Sequence, residues 1–187
     1  MEARLEQAAA RGVRSLIVRA GDFFGPHAGN NWFSGGLIKP GKPVTSVWNP
    51  GTPGIGHAWA YLPDVAATMA LLLAREAELA PFERFHFAGH FLPDNVEMGR
   101  AIGRAVGNPD LPVRRFPWWA MTLASPFMTL ARELGEMRYL WTVPLVLDNR
   151  KLVAFLGEEP HTPLDAAVAT TLRGLGSLPA GDARTAA

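Results

Sequence analysis

The sequence predicts an α/β chain, and three observations carry the prediction. A helical stretch at residues 1–11 runs directly into a short, continuous apolar strand; that strand ends in a loop punctuated by glycine and proline; and the rest of the chain is dominated by helical stretches with two further strand candidates. The first two features belong to a parallel sheet, the third to a mostly helical portion added to it.

Met1 to Arg11 places Leu5, Ala8 and Ala9 at helical spacing, and the chain turns at Gly12. No Ser, Thr, Asp or Asn stands ahead of it as a cap, so the reading is of a chain that begins already inside a helix. Ser15-Leu16-Ile17-Val18, bounded by Gly12 and Gly21, has the pattern of a strand buried on both faces of a parallel sheet. Gly21 to Pro26 closes that strand. Asn30 to Ile38 is expected to form a short helix stopped at Pro40-Gly41, and Val44 to Trp48 a second strand, followed by a Gly/Pro-rich loop from Asn49 to Gly56.

Pro63 to Ala77 reads as a helix, with Pro63 at an early position, Asp64 in the first turn, and Val65, Met69, Leu72 and Leu73 on one face. Phe85-His86-Phe87 is the third strand candidate. Asn95 to Val106 is a helix ended by Gly107. Pro117 to Trp141 is helical, kinked or split at Pro126, with Leu130, Leu134 and Met137 at spacings of four and three. A further helix begins at Asp148-Asn149-Arg150 and ends at Leu156-Gly157, and a last one spans about residues 163–175. One domain over residues 1–175 is therefore expected, with residues 176–187, rich in small side chains, as a disordered tail.

Composition narrows the function. With 187 residues, 48% of them hydrophobic and 19% charged, the chain is long enough to bury a sizeable core. The net charge is +1 and the basic residues are scattered, so no Lys/Arg stripe is present to neutralise nucleic-acid phosphates. The absence of cysteine excludes disulfides, thiolate metal sites and cysteine nucleophiles. No secretory signal opens the sequence, so a cytoplasmic location is expected. The longest apolar stretch, Phe116 to Leu130, is broken by Pro117 and Pro126 and is too short to span a bilayer; no membrane partner is expected.

The informative segment is Arg19-Ala20-Gly21-Asp22-Phe23-Phe24-Gly25-Pro26, at the carboxyl end of the first strand, where ligands bind in open α/β sheets. Gly21 permits close backbone approach, Asp22 offers a polar group, and Phe23 and Phe24 offer apolar wall. Read alone, the octapeptide is equally well an ordinary strand-to-loop turn. It resembles the Arg-Pro-Gly-Asn-Val-Tyr-Gly-Pro motif of the extended short-chain dehydrogenase/reductases, the NAD-dependent epimerase/dehydratase family. Arg19, Gly21, Gly25 and Pro26 match, whereas Ala20, Asp22 and Phe23-Phe24 stand where the family has Pro, Asn and Val-Tyr. His57-Ala58-Trp59-Ala60-Tyr61-Leu62-Pro63-Asp64-Val65-Ala66 resembles the family's Arg-Asp-Phe-Val-His-Val-Asp-Asp-Val-Ala. Leu147 to Leu152 with Leu156-Gly157 and Pro160 to Leu164 resembles its C-terminal closing pattern.

The resemblance implies the C-terminal part of a Rossmann-like doubly wound sheet plus a mostly helical substrate-binding subdomain. It implies that Ala20, Gly21, Asp22 and Phe23 border the nicotinamide of NAD or NADP, and that Phe24, Trp32, His57, Trp59 and Tyr61 shape a small-molecule substrate pocket. An aspartate at position 22 repels phosphates, which favours a neutral or apolar substrate. For Asp64, placement in the first helical turn is the plainer account.

Two hallmarks of the family are missing. No Gly-x-x-Gly-x-x-Gly phosphate loop occurs, and neither Tyr61 nor Tyr139 has a lysine four residues on. No catalytic residue is therefore assigned, and the chain is not expected to hold the cofactor tightly or to act alone. His27, His57, His86, His90 and His161 do not form a metal-ligand pattern. Trp118, Trp119 and Trp141 are read as packing residues, and Trp59 and Tyr61 are open between packing and pocket. Ser34, Ser46 and Ser125 lack the setting of a hydrolase nucleophile. A non-catalytic ligand- or protein-binding module of the same architecture is the alternative; its incomplete sheet invites a second copy or a complementing N-terminal fragment.

Overall fold

The computed structural model describes residues 1–179. A helix, α1 (Glu2–Ala9), leads into β1 (Ser15–Arg19), which pairs in parallel with β5 (Phe82–His86), Ile17 opposite Arg84. Immediately after β1, β2 (Asp22–Phe24) lies parallel to β4 (His57–Tyr61), and β6 (His90–Leu92) joins the other edge of β4 in antiparallel sense. A third pair, β3 (Val47–Asn49) with β7 (Val113–Arg115), is also parallel. The expected α/β class is what the structure shows, with a parallel pair at one end and a larger, mostly helical portion beyond it.

The helices follow the sequence closely. α2 (Leu62–Ala74) has Pro63 in its first turn, where a missing N–H costs nothing, and Asp64 beside the positive end of the helix dipole. Its buried stripe differs from the expected one. Val65, Thr68 and Leu72 face inward, while Met69 and Leu73 are 43% and 58% exposed. Thr68 tolerates burial because its hydroxyl donates to the Asp64 carbonyl at 2.9 Å. The α3 helix (Glu97–Ala105) buries Met98, Ala101 and Ile102 against Ala167, Val168 and Leu172 of α7 (Leu164–Gly174). Pro126 splits the long helical stretch into α4 (Trp118–Ala124) and α5 (Thr129–Met137). The α6 helix (Arg150–Leu156) stops at Gly157, whose φ of 94° suits a residue without Cβ.

Two cores result. The smaller joins Ala60, Val65, Leu72, Phe85, Phe87 and Leu152, with Leu16 and Val18 packed against it. The larger is built around Phe24, Phe33, Trp59, Met98, Trp141 and Leu172. The expectation that β1 is buried on both faces is corrected here. Leu16, Ile17 and Val18 are only half-buried, because α1 buries none of its own residues and β5 is the only strand paired with β1 among the described residues.

At the end of α7, Ser177 N–H donates to the Leu172 carbonyl at 2.8 Å and Leu178 packs on the larger core, so the ordered chain runs past residue 175. The rest of the expected tail, residues 180–187, lies outside the described residues.

Candidate functional site

The exit of β1 is fixed by a contact that only glycine allows. A Cβ on Gly21 would lie 2.2 Å from the Ala58 carbonyl oxygen, so the missing side chain lets β2 settle beside β4. The close approach at Gly21 is thus made by the neighbouring strand. Register follows, with Asp22 opposite Trp59 and Phe24 opposite Tyr61. The two segments singled out in the sequence, residues 19–26 and 57–66, are in this way brought side by side through the paired strands β2 and β4.

Alternation then sorts the side chains. Residues 22 and 24 of β2 share a sheet face with 57, 59 and 61 of β4. On that face His57 Nε2 lies 2.7 Å from Asp22 Oδ2. The His57 ring is stacked on Trp141 with centroids 3.9 Å apart and planes 13° from parallel, and its side chain is 4% exposed. Asp22 is 28% exposed at its side chain and reaches an open cleft of about 430 Å³. The apolar part of its wall is Phe23, Trp32, Phe116, and the Leu130-Leu134-Met137 stripe of α5, and Asn30 and Asn31 add a polar stretch. Asp22 is therefore the charged group that lines the cleft, with His57 bonded to its carboxylate.

Of the residues expected around the ligand, Asp22, Phe23 and Trp32 line this one cleft. Ala20 packs against the smaller core. Phe24, Trp59 and Tyr61, expected in the pocket wall, are buried in the larger core. The reason is the face they occupy, which Phe33 covers by stacking on Phe24 with centroids 5.6 Å apart and Trp141 covers over Trp59 at 5.8 Å. Burial also holds the Tyr61 phenol above its ordinary pKa, keeping it protonated. Trp32 starts a π-helical turn, Trp32–Leu37, where a short helix is expected; Asn31 caps it by accepting from Ser34 N–H at 2.9 Å.

Sequence reasoning misses Phe116 and the role of α5. Leu130, Leu134 and Met137 are visible as a helical stripe, but nothing local says that the stripe covers a strand exit more than a hundred residues earlier. Asp64 has a larger part than its position in the helix implies. It is buried, and it accepts from both Thr162 N–H and Thr162 Oγ1 at 2.7 Å, tying α2 to the segment ahead of α7. Nearby, burial and the adjacent His161 ring lower the His90 pKa to about 4. Among the described residues no group of three His, Asp or Glu side chains is placed to hold a metal ion, and no helix is long and apolar enough to cross a membrane.

No family model matches the chain, and no curated protein matches it. Solved structures do. A UDP-glucose 4-epimerase from Bifidobacterium longum in complex with NAD+ and UDP superposes with a TM-score of 0.63 at 15% identity, over 95% of this chain and 53% of that one. RMD from Pseudomonas aeruginosa complexed with NADPH gives 0.60 at 13% identity, over 95% and 53%. The UDP-glucose 4-epimerase of Thermus thermophilus in complex with NAD gives 0.58 at 21% identity, over 93% and 50%. The architecture is thus that of the Rossmann-like NAD-dependent epimerases and dehydratases. The chain spans about half the length of the solved structures it matches.

Proposed function

We propose that this chain is the C-terminal, substrate-binding half of an NAD(P)-dependent oxidoreductase or epimerase of the extended short-chain dehydrogenase/reductase family. The observation that carries the reading is the adjacency of residues 19–26 and 57–66, which puts Asp22 at the floor of a cleft just beyond the carboxyl end of β1. When bound, the nicotinamide would supply or accept the hydride, and the segment Ala20 to Phe23 would border it. Phe23, Trp32 and the α5 stripe would enclose an apolar substrate. His57 fixes the Asp22 carboxylate, which accepts a hydrogen bond from a substrate hydroxyl and repels phosphate.

The sequence has neither the glycine-rich phosphate loop nor the Tyr-x-x-x-Lys pair, so this chain alone is inactive and holds NAD(H) or NADP(H) only weakly. The edge of β1 that has no strand partner among the described residues is where a complementing N-terminal fragment or a second copy would add a strand. Calorimetric titration with NAD(H) and NADP(H) tests the assignment. The expected result is no micromolar binding by this chain; micromolar binding would show that a complete dinucleotide site exists within it.

A further inference from the structure

The longest apolar stretch of the chain, carried by α4, the turn at Ser125-Pro126 and the start of α5, lies largely at the surface. Trp119 and Leu123, four residues apart and so on one face of α4, are 73% and 72% exposed. Phe127, in the turn, is 88% exposed, and Met128 and Leu130 after it are more than half exposed. A single exposed leucine is ordinary; a run of large apolar side chains on one surface marks an interaction site. No charged residue stands between Arg115 and Arg132. Two of the hydroxyls in the stretch bond back to its own backbone: Thr122 Oγ1 donates to the Trp118 carbonyl at 3.1 Å and Ser125 Oγ to the Thr122 carbonyl at 2.8 Å, so neither donor needs water.

Charge decides what covers this surface. Arg114 and Arg115 precede α4, Arg132 lies in α5, and Arg138 follows α5 with its guanidinium over the Trp118 ring at 5.6 Å. All four are exposed, and among the described residues none has a carboxylate partner, whereas Arg104 is paired with Asp165 and Arg150 with Asp148. Residues 114–138 hold only two acids, Glu133 and Glu136. A second copy paired through the same patch about a two-fold axis would set these arginine-rich rims against each other. Anionic lipid headgroups neutralise them instead. Shape points the same way, because a projecting ring such as Phe127 fits a protein only where a matching pocket exists, while the boundary between headgroups and acyl chains closes around any apolar tip. The stretch is too short to span a bilayer, but lying in its surface requires no span.

We propose that the α4–α5 surface, led by Trp119, Leu123 and Phe127 with Arg114, Arg115 and Arg132 at its rim, docks on a bilayer surface that contains anionic phospholipid. Leu130 belongs both to this surface and to the wall of the Asp22 cleft, so apolar surface continues from the docking face to the cleft. Docking needs no nicotinamide, so it stands or falls independently of the oxidoreductase reading.

The test is sedimentation of the full chain with vesicles of phosphatidylcholine alone and of phosphatidylcholine with about one third phosphatidylglycerol. Binding tighter by about tenfold or more is expected for the anionic vesicles, and it should weaken as added salt screens the arginines. Phe127→Ser and Trp119→Ser should each weaken it about tenfold or more, whereas Leu73→Ser, at an exposed apolar position on α2, should leave it unchanged. Anionic vesicles brominated in their acyl chains should quench the tryptophan fluorescence of the unsubstituted chain, a readout that does not depend on how the variants fold. No sedimentation with anionic vesicles, no quenching, equal affinity for the two vesicle types, or binding that both serine variants retain would overturn the proposal. A dimer that forms in place of vesicle binding and is lost with Phe127→Ser would overturn it as well, and would assign the patch to a second copy.

Discussion

Gly21 and Ala58 touch backbone to backbone, so closely that any side chain at position 21 would stand inside the neighbouring carbonyl. The pairing of β2 with β4, and with it the 2.7 Å contact between Asp22 and His57, depends on that approach. Gly21→Ala must push the strands apart, and overpacking of this kind costs about 1–3 kcal/mol. Urea unfolding should show a loss in that range. An unchanged midpoint would mean that β2 and β4 are not held this close.

Among the described residues Asp64 is the acceptor for both the Thr162 hydroxyl and its backbone N–H. Removing the carboxylate strands two donors in a half-buried place, at roughly 1–3 kcal/mol per unmade bond. Asp64→Ala is expected to lose about 2–4 kcal/mol in denaturant unfolding. Thr162→Ser keeps both donors and should lose less than about 1 kcal/mol. Equal losses would show that the packing of the threonine methyl, and not the hydrogen bonds, joins α2 to α7.

These two contacts mark the boundary of what the sequence makes legible. Local signals suffice for the helices, because Pro63, Pro126 and Gly157 act on the backbone beside them whatever packs around. Of the four three-residue strands, only β3 is foreseen, at Val44 to Trp48 where the structure has Val47–Asn49; β2, β6 and β7 carry too few residues to show alternation, and they exist because β4 and β3 supply partners from elsewhere in the chain. Asp22, Phe23 and Trp32, singled out in the sequence, line one cleft. Phe24, Trp59 and Tyr61 are misplaced in the wall because aromatic residues look alike in sequence whether they line a cleft or fill a core. Only the cross-strand register decides which face they take.

His90 gives the fold a dependence on pH whose sign can be worked out. Burial, then the neighbouring His161, lower its folded pKa to about 4 from the ordinary 6.5, while Asp64 and Glu159 oppose the shift. Between those two values the unfolded chain binds more protons, so stability is complete above about pH 6.5 and falls as pH drops toward 4. One such histidine corresponds to a loss of about 2 kcal/mol between pH 7 and pH 5. Urea midpoints at those two pH values should differ accordingly in the unsubstituted chain, and His90→Phe should flatten that difference. A pH profile unaffected by the substitution would assign the effect to other carboxylates or histidines.

The Asp22–His57 pair separates two ways in which an aspartate can matter at a cleft floor. As a hydrogen-bond acceptor for His57 Nε2, it is replaceable by an amide oxygen; as a charge, it is not. His57 is buried and its Nδ1 has no partner among the described residues, so the bond to Asp22 is the one polar contact that fixes the ring over Trp141. Asp22→Ala should therefore cost about 1–3 kcal/mol, whereas Asp22→Asn should cost less than about 1 kcal/mol while removing the negative charge from the cleft. If the carboxylate serves to repel phosphate, Asp22→Asn should also let the cleft accept aryl phosphates that the unsubstituted chain rejects, read as a new quenching of tryptophan fluorescence that Leu134→Trp, which fills the same cleft, abolishes. Equal rejection of aryl phosphates by Asp22→Asn and by the unsubstituted chain would place the discrimination in the shape of the cleft and not in its charge.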